Sequence, residues 1–211
     1  SSCFLVTCPL PTMSSDFVDM IMLRVLLEDA NSRLPDAADL VSSLVRYLGL
    51  EGRSWSSAAT EIGRVQDNLV DTSLVVVVGG DGTILRGVHI AAPRDIPVLG
   101  VNMGRVGFMS DIEAREAIDE MGWYLDGNAR TEHRYMLKAE ILGRDTNTVF
   151  ALNDIAVARG ALLRVVEVST VVDDVHLATY RGDGVIVSTA TGSTGYNLQL
   201  GGPVMDPSSR D

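Results

Sequence analysis

A single aspartate stands among four small residues in the string Gly79-Gly80-Asp81-Gly82-Thr83, directly after the apolar run at residues 74–78. Glycines at such a turn let a phosphate approach the backbone, and a following helix supplies N–H donors and the positive end of its dipole. A carboxylate repels an anion, so it suits a phosphate site if it holds Mg²⁺ or takes a proton from an attacking hydroxyl. The pattern favours such a site over an N-cap carboxylate in a tight turn.

A second polar cluster combines Arg181-Gly182-Asp183-Gly184 with the hydroxyl-rich residues 188–197, which include Tyr196. The short apolar strand at residues 185–187 joins the two parts. Hydroxyls and exposed backbone can read the edge of a base, and Tyr196 can stack on its face. A polar turn without a ligand fits the composition equally well. The following Gly201-Gly202-Pro203 predicts another tight turn that holds this loop in place.

Asn153 and Asp154 form a third candidate, because both interrupt an otherwise apolar strand-like segment. Side chains alternate between the faces of a strand, so one of the two must point toward the buried face. Uncompensated burial of a carboxylate is costly. Two explanations stay open: a turn interrupts the strand, or these groups meet a ligand.

The elements that position these residues change character along the chain. A strand at residues 4–7 and helices at 16–30 and 36–48 are predicted, whereas residues 51–68 carry no clear pattern. The run at 74–78 reads as a strand buried on both faces, with a helix from Thr83 or Ile84. A second strand at 96–101 and a glycine-rich turn at 102–108 repeat the unit, which predicts a parallel sheet.

The second half of the chain follows a different pattern. An amphipathic segment at 113–125 precedes successive strand-like segments without intervening helices, which imply an antiparallel sheet. We therefore predict a Rossmann-like α/β domain at 1–112 and a mainly β domain at 113–211, with the boundary between 112 and 130. The predicted strands of the second domain are 135–142, 149–158, 163–172, 176–180 and 185–188.

Composition excludes several classes of protein. The chain has 211 residues, of which 46% are apolar and 21% charged, so it can bury a core and is not disordered. A net charge of −11 argues against nucleic-acid or anionic-membrane partners. The sequence lacks an apolar run of bilayer length, a signal-peptide start and a zinc pattern, and its two cysteines, Cys3 and Cys8, suggest a reducing compartment. We expect a cytoplasmic protein.

The order of the motifs resembles the NAD kinase family. Its GGDGT string, N-x-G-x-x-G-F segment, Asn-Glu pair and GDG...STPTGSTAY...GGP stretch appear here in sequence between Asp71 and Pro207. Three positions depart from the family pattern. Asp154 replaces the glutamate, Ala190 replaces the proline and Gly195 replaces the alanine before Tyr196. No Gly-Lys-Ser/Thr string is present, so ATP would be bound by other means than a P-loop.

The resemblance implies phosphorylation by ATP, with Mg²⁺, of the adenosine ribose 2'-hydroxyl of NAD to give NADP. Asp81 would be the general base, with Gly82 near the phosphates. Asn153 and Asp154 would hold adenosine hydroxyls or base edges, and Asp183 would address the nicotinamide half. Thr194 and Tyr196 would frame an adenine, and no side chain is assigned to the metal. The other implied nucleotide contacts are Arg86, Arg164, Arg181, Thr191, Gly195 and Gln199. The three arginines would contact phosphates.

Two rival functions and one structural expectation accompany this resemblance. Lipid kinases related to diacylglycerol and sphingosine kinases also carry GGDGT, and a non-catalytic dinucleotide-binding protein could dispense with Asp81.

Members of the family form homodimers or homotetramers and continue with further strands, so we expect this chain to be a fragment or a natural truncation. On its own it should be weakly active and prone to associate.

Overall fold

The computed structural model of the protein describes residues 4–5, 23–27, 36–49, 55–58, 69, 72–104, 107–110, 112–126, 128–141, 147–158 and 165–209. Its strands are β1 Phe4–Leu5, β2 Leu23–Leu27, β3 Trp55–Ala58, β4 Leu74–Gly79, β5 Val98–Asn102, β6 Ile112–Glu113, β7 Tyr135–Ile141, β8 Asn147–Ala151, β9 Asp154–Ala158, β10 Val166–Val172, β11 Val175–Gly182 and β12 Gly184–Ser188. Its α-helices are α1 Asp36–Tyr47, α2 Asp81–Ala91, α3 Ala117–Leu125 and α4 Tyr196–Gln199, with 3-10 turns at Ala92–Arg94 and Thr191–Thr194.

The chain divides into two units. One is Val6–His133, here the α/β unit, and the other combines Ser1–Leu5 with Arg134–Asp211, here the β unit. None of the described helices is both long and apolar enough to cross a membrane.

The α/β unit is built on a five-stranded parallel sheet in the order β3-β2-β4-β5-β6. Strand β4 lies at its centre, and its four valines, Val75 to Val78, are fully buried. A continuous apolar run is typical of a strand covered on both faces. Val76 and Val78 pack with Leu44 of α1 and Met121 of α3, so the predicted strand and the helix at 36–48 are both confirmed.

The predicted helix at residues 16–30 is wrong where the structure describes it, because β2 occupies Leu23–Leu27. This strand pairs in parallel with both β3 and β4, so it lies inside the sheet. The stretch around it is almost continuously apolar, and such a run does not by itself separate a buried strand from a buried helix. Strand β3 lies in the region that carried no clear pattern.

The helix α3 belongs to the α/β unit, which moves the division of the chain beyond the expected boundary. Ala117 and Met121 are fully buried in the same core as Val41 and Leu44 of α1. The division therefore falls between His133 and Arg134 rather than at residue 112. The amphipathic pattern of this helix gave no sign of which sheet it covers.

The β unit consists of antiparallel pairs, as the absence of intervening helices predicts. Strand β7 lies between β1 and β8, β9 pairs with β12, and β10 pairs with β11. The predicted single strand at 149–158 is instead two strands, β8 and β9, which pair with different partners. A bend at Leu152 and Asn153 separates them, so the segment is interrupted at Asn153, whereas Asp154 begins β9 and a ligand contact of the pair stays a prediction.

Candidate functional site

The GGDGT string connects β4 directly to α2. Gly80 is extended and precedes the helix, which begins at Asp81 rather than at Thr83 or Ile84 as predicted. No side chain caps this end, so the interpretation of Asp81 as an N-cap carboxylate is wrong. The backbone N–H groups of a first helical turn lack intrahelical partners and favour an anion. Asp81 therefore lies where a phosphate and a carboxylate can meet.

The Asp81 carboxylate is held by a second segment of the same unit. The N–H of Phe108 donates to Oδ2 at 3.1 Å, and the N–H of Met109 donates to Oδ1 at 3.3 Å. A carboxylate offers about four lone-pair positions. Each oxygen therefore keeps room for a further hydrogen bond while the orientation of the group is fixed.

The glycine-rich turn after β5 brings this segment to the end of β4. Buried Asn102 accepts a hydrogen bond at Oδ1 from the N–H of Gly104 at 3.0 Å, and the N–H of Met103 donates to the carbonyl of Gly79 at 3.4 Å. Residues 105 and 106 lie outside the described part of the chain. The turn thus folds back over the GGDGT string, which the spacing of the two motifs in the sequence did not reveal.

Phe108 is an exposed aromatic residue that was not among the predicted site residues. Its side chain is 73% exposed although its backbone N–H is bonded to Asp81. A large exposed aromatic beside a carboxylate offers a face on which a base or ribose can pack. The signal in the sequence was its place at the end of the N-x-G-x-x-G-F segment. Gly82 and Arg86 are also exposed on α2.

In the β unit, the hydroxyl-rich loop is bonded to the turn between β8 and β9. Thr189, which the candidate residues did not include, donates from its hydroxyl to the carbonyl of Leu152 at 2.5 Å. The same hydroxyl accepts the N–H of Gly192 at 2.9 Å. The N–H of Thr189 donates to the carbonyl of Asn153 at 2.8 Å. These bonds fix Asn153 and the loop against each other.

Two buried side-chain oxygens in this region, Asn153 Oδ1 and Thr191 Oγ1, have no hydrogen-bond partner among the described residues. Gly195 lies beside Asn153 and Asp154. A Cβ at that glycine would be 3.5 Å from Asn153 Nδ2 and 3.7 Å from Asp154 Oδ2. Buried polar atoms without partners are rare in proteins, where such atoms pair with protein groups, ordered water or a ligand. Three of the predicted residues, Asn153, Asp154 and Gly195, are brought together, and Thr191 belongs to the same loop as Gly195.

The rest of the loop ends in the short helix α4, which carries Tyr196 and Gln199 on the surface. Asn197 holds the following turn through its Nδ2, which donates to the carbonyl of Pro203 at 3.2 Å. Gly201 adopts a φ of +83°, which favours glycine. This turn does hold the loop, as predicted. Beyond it, hydrogen bonds from Ser208 keep the pKa of Asp206 below its ordinary value.

Of the remaining predicted residues, two are exposed at or next to a strand end, one is bonded to Thr191 and one lies outside the described part of the chain. Arg181 and Asp183 are exposed at the end of β11 and in the turn before β12, and Arg181 lies opposite Glu167 in the β10–β11 register. Thr194 is half-buried and donates to the carbonyl of Thr191 at 3.4 Å. Arg164 lies outside the described residues. The described part of the chain contains no group of three or more His, Cys, Asp or Glu side chains that could hold a metal.

Fold and site together define a two-unit protein in which a parallel α/β unit with a glycine–aspartate turn is joined to an antiparallel β unit with a hydroxyl-rich loop. Residues 15–129 match the model of the ATP-NAD kinase N-terminal domain, and residues 152–211 match that of the ATP-NAD kinase C-terminal domain. The chain belongs to the NAD kinase family.

Named relatives agree with this assignment. The chain is 41% identical over 181 residues to an NAD kinase of Dehalococcoides mccartyi, which covers 84% of this chain and 64% of that protein. It is 45% identical over 134 residues to an NAD kinase of Natranaerobius thermophilus, which covers 63% of this chain and 47% of the relative. The chain thus spans less than two thirds of the length of these relatives.

Two solved structures share the fold. A yeast NADH kinase complexed with NADH has a TM-score of 0.75 and 23% identity, covering 90% of this chain and 63% of the other. An NAD kinase from Archaeoglobus fulgidus in complex with ATP has a TM-score of 0.58 and 24% identity, and the match covers 88% of this chain and 68% of the other. The predicted fold class, an α/β unit followed by antiparallel strands, is confirmed.

Proposed function

We propose that this chain carries the nucleotide-binding and catalytic part of an NAD kinase, which phosphorylates the adenosine ribose 2'-hydroxyl of NAD with ATP. Family membership and the names of the relatives support the activity. The observation that carries the mechanism is the Asp81 carboxylate, held at the start of α2 by two backbone N–H groups.

Asp81 acts as the general base in this proposal. Its free lone pairs accept the hydrogen of the ribose hydroxyl, and it takes that proton as the oxygen attacks the γ-phosphorus of ATP. The new oxygen–phosphorus bond forms as the bond to the β,γ-bridging oxygen breaks, and ADP leaves. A positioned base contributes about 10² to 10⁴ in rate. The N–H groups at the start of α2 lie near the phosphates.

The nucleotides are bound in part by the residues of the β unit. Asn153 Oδ1 and Thr191 Oγ1 are buried without partners among the described residues, which supports their pairing with adenosine hydroxyls or base edges. Asp154 and Gly195 lie beside them, and Tyr196 and Thr194 frame an adenine. Gln199 and Asp183 belong to the same binding surface in this proposal.

Positive charge at the phosphates comes from arginines and a divalent cation. Arg86, Arg164 and Arg181 are the proposed phosphate contacts. Mg²⁺ is commonly held by one or two carboxylates together with substrate phosphates. Mg²⁺ neutralises charge on the phosphates when it is bound with ATP. We further propose a homodimer or homotetramer.

To test this proposal, the purified chain is incubated with NAD, ATP and Mg²⁺, and the formation of NADP is measured. The Dehalococcoides mccartyi relative serves as a positive control. An NAD analogue without the adenosine 2'-hydroxyl should bind and yield no phosphorylated product. Phosphorylated diacylglycerol or sphingosine in a parallel reaction would favour a lipid kinase. Binding of NAD without any NADP, while the relative is active, would favour a non-catalytic dinucleotide-binding protein.

A further inference from the structure

Gly107, in the segment that holds Asp81, lies directly against the Asp81 carboxylate. A Cβ at this glycine would overlap Oδ1 and would lie 2.7 Å from Cγ and 2.8 Å from Oδ2. These distances are shorter than real Cβ contacts. Any side chain at position 107 must therefore displace either the carboxylate or the segment that carries the N–H groups of Phe108 and Met109.

A second glycine gives the same segment room on its other side. A Cβ at Gly100 of β5 would lie 2.7 Å from Cδ1 of Ile84 in α2, 3.0 Å from the carbonyl oxygen of Met109 and 3.2 Å from the Cα of Ser110. The segment is thus seated between the sheet and the carboxylate, and both contacts are made where a side chain is missing. This close seating allows two consecutive N–H groups to reach both carboxylate oxygens.

We propose that Gly107 is a positioning residue for Asp81: its missing side chain lets residues 107–109 close over the carboxylate and fix its orientation. The consequence for catalysis rests on the proposed function, whereas the packing does not. Glycine is required at position 107 for space and not for backbone conformation. Among the described residues, the glycines with positive φ are Gly49 and Gly201, not Gly107. Gly104 in the same turn provides a matched control, since a Cβ there would meet nothing within 4 Å.

The first experiment is a thermal-unfolding cycle that needs no activity. We expect Gly107→Ala to lower the Tm by about 3 °C or more and Gly104→Ala to change it little. Asp81→Ala removes the atoms that the new methyl group would overlap. Adding Gly107→Ala to Asp81→Ala should therefore cost less than about 1 °C. If Gly107→Ala does not fold alone, folding of the double variant supports the proposal. An equal loss in both backgrounds overturns it.

The second experiment measures NADP formation by the same variants. Gly107→Ala should lower kcat at least about tenfold and leave the KM for NAD within about twofold, while Gly104→Ala behaves like the wild type. Asp81→Ala should have the same kcat with and without Gly107→Ala. A further loss in the double variant would contradict an action through Asp81. A wild type that forms no NADP while the unfolding cycle behaves as expected would refute the proposed function alone.

Discussion

Asp81 of the α/β unit and Asp154 of the β unit lie in different surroundings. Asp81 shares each oxygen with a backbone N–H group, so its geometry is set by the main chain rather than by a flexible side chain. Asp154 is half-buried at the start of β9, where a Cβ at Gly195 would lie 3.7 Å from its Oδ2. The first arrangement suits a proton acceptor, and the proposal assigns the second to a ligand contact.

Asp154→Glu should preserve or improve kcat/KM for NAD. The substitution restores the longer family side chain, and a misplacement of about 1 Å at a reacting site can cost up to about 10²-fold in rate. Steady-state kinetics with NAD as the varied substrate measures the effect, and Asp119→Glu on the exposed surface of α3 is the control. A large loss would mean that the surrounding backbone has already moved inward to suit aspartate.

Thr189 illustrates how the elements of the β unit are fixed. It follows β12, and its hydroxyl joins the carbonyl of Leu152 after β8 to the N–H of Gly192 in the next turn. The approach also needs glycine at position 192, because a Cβ there would overlap the Asn153 carbonyl. The loop and the turn that carry the unpaired oxygens are therefore one packed structure rather than two surface loops.

Thr189→Val should lower the free energy of unfolding by about 1–3 kcal/mol. Valine keeps the shape of threonine but leaves the Leu152 carbonyl and the Gly192 N–H without their partner. Urea denaturation measures the loss, and Thr148→Val on the exposed part of β8 should change little. Similar midpoints for both variants would show that the buried hydroxyl does not hold the loop.

The sequence predicted those elements whose patterns fit a single structure. The valine run of β4 could only be a strand covered on both faces, whereas Asn153 and Asp154 left a turn and a ligand contact equally open, and the segment at 149–158 was wrongly predicted as one strand. The helix predicted at residues 16–30 was wrong where the structure describes it, because a mostly apolar stretch suits a buried strand as well as a helix. The contact of Gly107 with Asp81 and the bonds of Thr189 could not be predicted, since they join segments distant in sequence.

The proposed function requires that a chain with a net charge of −11 bind anionic nucleotides. The proposal relies on local sources of positive potential, namely the start of α2, the arginines and Mg²⁺. The β unit also exposes apolar side chains on the hairpin formed by β10 and β11. Val172, Val175 and Leu177 are each more than half exposed. Exposed apolar strands favour association between copies.

We therefore expect the 211-residue polypeptide to associate in a concentration-dependent manner. Sedimentation velocity over a wide concentration range should show species larger than the monomer. The double variant Val175→Thr, Leu177→Thr removes apolar surface from β11 while keeping residues suited to a strand, and it should shift the distribution toward monomer. A wild type that sediments as a monomer at every concentration would contradict this expectation.

The central claim is that Asp81 takes the proton of the ribose hydroxyl, and the most direct test is the kinetics of Asp81→Asn. Asparagine nearly conserves the volume but removes the base, so kcat for NADP formation should fall at least about 10²-fold while the KM for NAD stays within about threefold. A thermal melt confirms that the variant is folded. A kcat close to that of the wild type would contradict the account, and an unchanged kcat with a raised KM would make Asp81 a binding residue.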